Sequence, residues 1–255
     1  MQVNAHEYYG QVTRYFDHSY SKYPASSITN PSFDIGVIEK VLRKNIVNRT
    51  MLDIGFGNGS ILEIGCGRGS DLIYLSKSLD FTIAMGIDIS GNAIKNAVEL
   101  CSANDPSGRI KFRQGNAVNE EIANYSVILM KDVLEYISPD DKKGLIEKMM
   151  EHTLPGGINA LVFVSSLPKN FWEDRFNLFT GNYDKLKPIF PNAEREKAKN
   201  LEFEAALKEI YTKVGWEILH SSTSESERNF VKVASNILIV KKPHDKKDIA
   251  DAERK

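Results

Sequence analysis

What this chain lacks narrows it first. Two cysteines in 255 residues, Cys66 and Cys101, give neither a disulfide framework nor a metal-ligand cluster. His6, His18, His152, His220 and His244 are scattered without metal-ligand spacing, so no metal is expected. An excess of one charge is missing as well. The 33 Lys and Arg against 34 Asp and Glu leave a net −1, without the basic footprint of a nucleic-acid binder. No apolar run reaches the roughly 18 residues of a membrane span. The opening MQVNAHEYYG lacks the basic-then-apolar build of a signal peptide. A cytoplasmic chain with neither nucleic acid nor membrane as partner is the expectation.

What is present begins with a repeat. Met51 to Ser70 reads MLDIGFGNGS and then ILEIGCGRGS, one ten-residue pattern written twice. Each copy has an apolar run, an acid (Asp53 or Glu63) and three alternate glycines: Gly55, Gly57 and Gly59, then Gly65, Gly67 and Gly69. An apolar run suits a buried parallel strand. Glycines just beyond it allow a tight turn and a close approach of ligand to backbone. Only the second copy leads into a helical pattern, DLIYLSKSL, with Leu72, Ile73, Leu75, Ser76 and Leu79 on one face and Ser70 or Asp71 as N-cap. In nucleotide-binding βαβ units the ribose-binding acid follows the glycines by about 20 residues. Asp88 follows Gly69 by 19 positions (88 − 69) and Gly59 by 29 (88 − 59). The second copy is therefore read as the ligand loop. The first reads as a duplication carried in a loop, with competition of the two copies for one strand slot as the alternative.

Beyond it, strands are expected at 61–65, 82–88, 110–114, 126–131 and 159–165, and helices at 70–79, 91–103 and 140–152. This alternation predicts a parallel sheet with helices on both faces. Residues 1–45, with Tyr8, Tyr9, Tyr15, Phe16, Tyr20 and Tyr23, are expected to be helical in pieces. Residues 167–200 break the rhythm and read as a lid insertion rich in aromatics. A helix from 202 to 214 ends at Gly215, a natural C-cap, and two closing strands span 216–222 and 229–242. The charged tail 243–255 reads as disordered.

Five pieces in order then resemble the class I S-adenosylmethionine-dependent methyltransferases. ILEIGCGRGS resembles their glycine loop, GIDIS their acid ending strand two, and FRQGNA their loop over the adenine. VILMKDVLEYI resembles the fourth-strand motif, and LPGG the Pro-Gly-Gly turn before strand five. No one piece is specific; their order and spacing are. The resemblance implies a doubly wound, mostly parallel seven-stranded α/β sheet of the Rossmann-like methyltransferase type. A helical N-terminal lid segment (1–45) would precede a methyltransferase domain (46–242) carrying the aromatic-rich insertion. It also implies S-adenosyl-L-methionine as cofactor and a small-molecule methyl acceptor.

Residue by residue, the resemblance implies cofactor contacts from Glu63, Ile64, Gly65, Cys66, Gly67 and Gly69. Glu63 would anchor the loop and meet the cofactor's ammonium group. Asp88 would take the two ribose hydroxyls, although capping the next helix is a rival role that Ser90 can fill. Ile89 and Ala117 or Val118 would flank the adenine, with core packing as the plainer role. Asn116 stands where relatives carry an acid, so its amide oxygen would accept from the adenine amino group. Asp132 is read as a cofactor or substrate contact, or equally as a cap to the next turn. Asp132 and Tyr136 are the candidates for a catalytic role. Tyr-rich residues near the N-terminus, with Phe171, Trp172, Phe176, Phe179 and Tyr183, suggest an aromatic cage about a sulfonium or simply a sealed lid. A non-catalytic binding or interaction module on the same fold is the rival reading. The glycine spacing disfavours a nicotinamide oxidoreductase.

Overall fold

The computed structural model describes residues 5–22, 31–47, 59–166, 204–228 and 231–244. The first glycine copy up to Asn58, the 167–200 insertion and the tail beyond 244 lie outside these residues. The helices are α1 (Ala5–Lys22), α2 (Phe33–Leu42, followed by a π turn Arg43–Val47), α3 (Ser70–Leu79), α4 (Gly91–Asn104), α5 (Pro139–Glu151) and α6 (204–213). The strands are β1 (Ser60–Ile64), β2 (Ile83–Asp88), β3 (Ile110–Gln114), β4 (Tyr125–Lys131), β5 (Thr153–Ser166), β6 (Glu217–Arg228) and β7 (Val231–Lys241).

They form one seven-stranded sheet in the order β3-β2-β1-β4-β5-β7-β6. The first five strands are parallel, and β7 joins β5 and β6 antiparallel. The doubly wound, mostly parallel α/β expectation is borne out. Its cause is visible in β1 and β4, whose apolar runs SILEI and YSVILMK are buried almost throughout because helices cover both faces. Successive residues point to opposite sides. Leu62, Ile64, Ile128 and Met130 pack with α1, α5 and α6, while Ile61, Val127 and Leu129 pack with α2, α3 and α4. All five residues expected on the apolar face of α3 are buried.

Three differences from expectation have physical reasons. Helix α3 is N-capped by Gly69 in the left-handed conformation (φ 74°), not by the side chain of Ser70 or Asp71. The Pro-Gly-Gly stretch is absorbed into β5, which starts at Thr153 and shifts register against β4 between Tyr125 and Val127. Strand β6 runs on to Arg228 through a polar segment without strand patterning, because its backbone pairs with β7 as far as Val231.

The chain winds outward from β1 through β2 to β3, then returns to place β4 on β1's other side. That reversal opens a crevice at the carboxyl ends of β1 and β4, the position where such sheets bind ligands. Gly69 packs behind it, at the start of α3. A Cβ there would lie 2.5 Å from Phe112 Cε1 and 3.2 Å from Ala97 Cβ at a positive φ. Gly69→Ala is expected to cost about 2–4 kcal/mol from left-handed strain and overpacking. A drop of roughly 5–15 °C in Tm by calorimetry follows; an unchanged Tm contradicts this packing.

Candidate functional site

A cavity of about 410 Å³ occupies the crevice. Its floor follows the strand ends in spatial order: Gly115, Asn116 and Ala117 after β3; Ile87, Asp88 and Ile89 at β2; and Glu63 to Arg68 at β1. On the other side lie Lys131 to Val133 and Glu135 to Ile137 after β4, and Val164 in β5. One face of α1 roofs it with Tyr9, Val12, Phe16 and Tyr20, spaced at helical periods.

Asp88 ties the floor together. Its Oδ2 accepts the Gly67 N–H at 2.8 Å and its Oδ1 the Ser90 N–H at 2.9 Å. Gly65 and Cys66 both donate to the Ile87 carbonyl, at 2.7 and 3.1 Å. Burial pushes the Asp88 carboxyl up, and the Ser90 and Gly67 N–H groups oppose it. The capping role belongs to Ser90, whose Oγ accepts the Ala93 N–H. Gly67 lets α1 come close: a Cβ on it would stand 2.6 Å from Tyr20 Oη.

Helix α1 is fastened at both ends of the roof. Asp17 Oδ1 accepts from Ser90 Oγ at 2.6 Å and from the Asn92 N–H at 3.1 Å. Asn92 Nδ2 donates to the Asp17 carbonyl and Asn96 Nδ2 to that of Tyr20. Tyr9 Oη donates to Asp141 Oδ2 at 2.7 Å. Burial and that carboxylate push its phenol up to about 12. Phe16 meets Tyr136 edge-on at 4.8 Å, and the Arg68 guanidinium stands 5.6 Å over the Tyr20 ring.

Acids gather at the centre. Glu63 is 3% exposed and its Oε2 is buried with no hydrogen-bond partner among the described residues. Burial raises its carboxyl well above the usual range; Asp71 adds to this and Lys131 opposes it. Lys131 Nζ lies 3.3 Å from Asp71 Oδ2 and 3.4 Å from Asp132 Oδ2. Asp132 sits at φ 55°, a left-handed conformation uncommon outside glycine, directly after β4.

Of the residues expected at the site, Glu63, Ile64, Gly65, Cys66, Gly67, Asp88, Ile89, Asn116, Ala117, Asp132 and Tyr136 all line the cavity. Gly69 does not; it packs on Phe112 and Ala97. Asn116 Oδ1 accepts the Val118 N–H at 3.1 Å, so the oxygen expected to face adenine already makes a local turn. Of the aromatics, Tyr9, Phe16 and Tyr20 join the cavity, while 171–183 lies outside the described residues.

Arg68, Asp71 and Lys131 line the cavity without having been expected there; Glu135, beside Tyr136 in the fourth-strand motif, lines it too, and Asp17 holds the roof in place through Ser90 and Asn92. Lys131 had a legible signal, a cation ending an otherwise apolar strand. Lys148 had none: from α5 its Nζ donates to the carbonyls of Ala117, Val118 and Glu120 and pins the loop after β3. Among the described residues no group of His, Cys, Asp and Glu is placed to hold a metal, and no helix is long and apolar enough to cross a membrane.

Fold, switch-point crevice and acid-and-glycine floor define the class I methyltransferase architecture. Residues 62–158 match the family described as "Methyltransferase domain". A curated relative, carboxy-S-adenosyl-L-methionine synthase of Shewanella denitrificans, is 23% identical over 159 residues, 57% of this chain. The match spans 65% of that protein's length. N-methyltransferase NodS of Bradyrhizobium japonicum WM9, solved with S-adenosyl-L-homocysteine, superposes at TM-score 0.56 and 14% identity, over 90% of this chain and 99% of its own. Magnesium protoporphyrin IX methyltransferase of Synechocystis PCC 6803, solved with S-adenosylmethionine, gives 0.56 at 17%, over 94% and 100%. The similarity to methyltransferase domains thus covers residues 62–158, β1 to the start of β5, and the solved neighbours share the fold of the whole sheet.

The buried Glu63 carboxyl has a measurable consequence. Its folded-state pKa is raised, so the folded protein holds the proton more tightly than the unfolded chain. Wild-type stability relative to Glu63→Gln is therefore greatest below the unfolded value near about 4.5 and falls as pH rises above it. Thermal melts are expected to show the variant more stable than wild type at pH 8, with the gap closing toward pH 4.5. A gap that widens on acidification contradicts this.

Proposed function

We propose that the chain is an S-adenosylmethionine-dependent methyltransferase acting on a small-molecule acceptor. The observation that carries this reading is the Asp88 carboxylate accepting the Gly67 N–H, which unites the second glycine turn and the acid nineteen positions on in one crevice.

The residues fit the cofactor's chemistry group by group. Glu63 Oε2, a buried acceptor lacking a protein donor, suits the ammonium of an amino-acid moiety. Asp88 retains lone pairs for the ribose hydroxyls beside its two backbone donors. Ile89 and Ala117 offer apolar contact for the base. Asn116 keeps its amide N–H groups and a second oxygen lone pair for the base's polar edge. When bound, the cofactor supplies a methyl carbon activated by positive sulfur. The protein's own part is alignment and exclusion of water under α1, a contribution of ~7–11 kcal/mol when geometry is right. The net charge of −1 and the roof of aromatics favour a small acceptor over a polyanion.

The engagement of Asn116 Oδ1 by Val118 favours one rival, a module that keeps the fold without the chemistry. Isothermal calorimetry with S-adenosylhomocysteine separates the two. Micromolar or tighter binding is expected, weakened by about 10-fold to 100-fold in Asp88→Asn, the loss of about 1.5–3 kcal/mol typical of a hydrogen bond to a charged group. Binding that is absent, or indifferent to Asp88→Asn, overturns the methyltransferase reading.

A further inference from the structure

The half of the cavity over β4 and β5 carries chemistry that the cofactor contacts leave unused. Asn116 and Ala117 after β3, Asp88 and Ile89 at β2, and Glu63 to Gly67 at β1 account for a nucleoside and its amino-acid end. Across the switch point remain Asp132, Glu135, Tyr136, Ile137 and Val164, beneath Tyr9 and Phe16 of α1. This compartment joins aromatic and apolar walls to two carboxylates.

Glu135 stands out within it. Its Oε1 accepts the Val164 N–H, fixing the carboxyl against the end of β5. Its Oε2 is buried and has no hydrogen-bond partner among the described residues. Asp132 after β4 faces it with like charge and Lys142 of α5 with opposite charge, while Tyr9 of α1 is engaged by Asp141. The cavity's own cation on this side, Lys131, is spanned by Asp71 and Asp132. Burial, and then Asp132, push the Glu135 carboxyl up to about 7, where one group both binds a proton and returns it. A buried carboxylate oxygen is costly unless a donor or cation meets it.

We propose, resting on the methyltransferase reading above, that the acceptor is a small primary or secondary amine with an apolar or aromatic substituent, and that Glu135 Oε2 takes its proton. The ammonium gives one proton to Glu135, freeing the nitrogen lone pair. That pair forms the N–C bond to the methyl as the C–S bond breaks, and the C–S electrons remain on sulfur as a neutral thioether. The product keeps the positive charge as methylammonium, and Glu135 ends protonated. A carboxylate acceptor is repelled by Asp132 and Glu135, and an alcohol offers them no charge.

The test uses the full chain saturated with S-adenosylhomocysteine and three matched probes: benzylamine, benzyl alcohol and phenylacetate. Calorimetry at pH 7.5 is expected to show benzylamine at least tenfold tighter than the alcohol, with phenylacetate weakest. Glu135→Gln keeps the acceptor for Val164 and is expected to abolish the amine preference while leaving S-adenosylhomocysteine affinity within about twofold. Glu135→Asp, which keeps the charge, is expected to retain part of the preference, so a misfolded Gln variant does not decide the matter. With S-adenosylmethionine, benzylamine methylation is expected to rise with pH toward a plateau above about 7, and to fall about 10²-fold or more in Glu135→Gln, the size of a lost general base. Equal binding of the three probes, preferential methylation of the alcohol or acid, or full activity in Glu135→Gln overturns the inference. Failure to bind S-adenosylhomocysteine is a different result: it removes the methyltransferase reading, and this inference with it.

Discussion

One carboxylate holds the crevice in shape. Asp88 ends β2, yet its two oxygens reach the glycine turn after β1 and the first turn of α4. Neighbouring strands only bring their ends side by side; this acid makes two loops and a helix start into one rigid floor. Because Ser90 hands its hydroxyl to Asp17, the same chain of hydrogen bonds reaches the roof. Floor and roof are therefore positioned by contiguous contacts rather than by separate packing events.

The site also concentrates electrostatic cost. Glu63, Asp88 and Glu135 all have carboxyls raised mainly by burial, and all line one cavity. Nothing in the packing requires three acids there; apolar side chains of similar volume would relieve the desolvation penalty. Their grouping around a space, rather than within the apolar core, is what distinguishes a binding site from a structural ion-pair network. Fold alone would not have made that distinction, since one architecture hosts many functions.

Much of this was legible in the chain. The strand and helix order from 61 to 166 followed from apolar runs such as ILEI and VILM separated by helical faces, and most boundaries fall within two residues of expectation. Eleven of the twelve expected site residues line the cavity because they follow strand ends, and strand ends are what apolar runs announce. Gly69 shows the limit: spacing identified the glycine, but only tertiary packing reveals that Phe112 and Ala97, not a ligand, demand it. The contacts of Lys148, Asp17 and Glu135 were illegible for a related reason. Each acts on a partner more than 25 residues away, and a single sequence carries no record of such pairings.

Helix α1 bears on exchange. It is tethered to α4 through Asp17 and Tyr20, to α5 through the Tyr9–Asp141 hydrogen bond, and to the short turn after β4 through Tyr8 and Phe16. Fraying one end leaves the other attached, so the loss of a single tether does not by itself uncover the crevice.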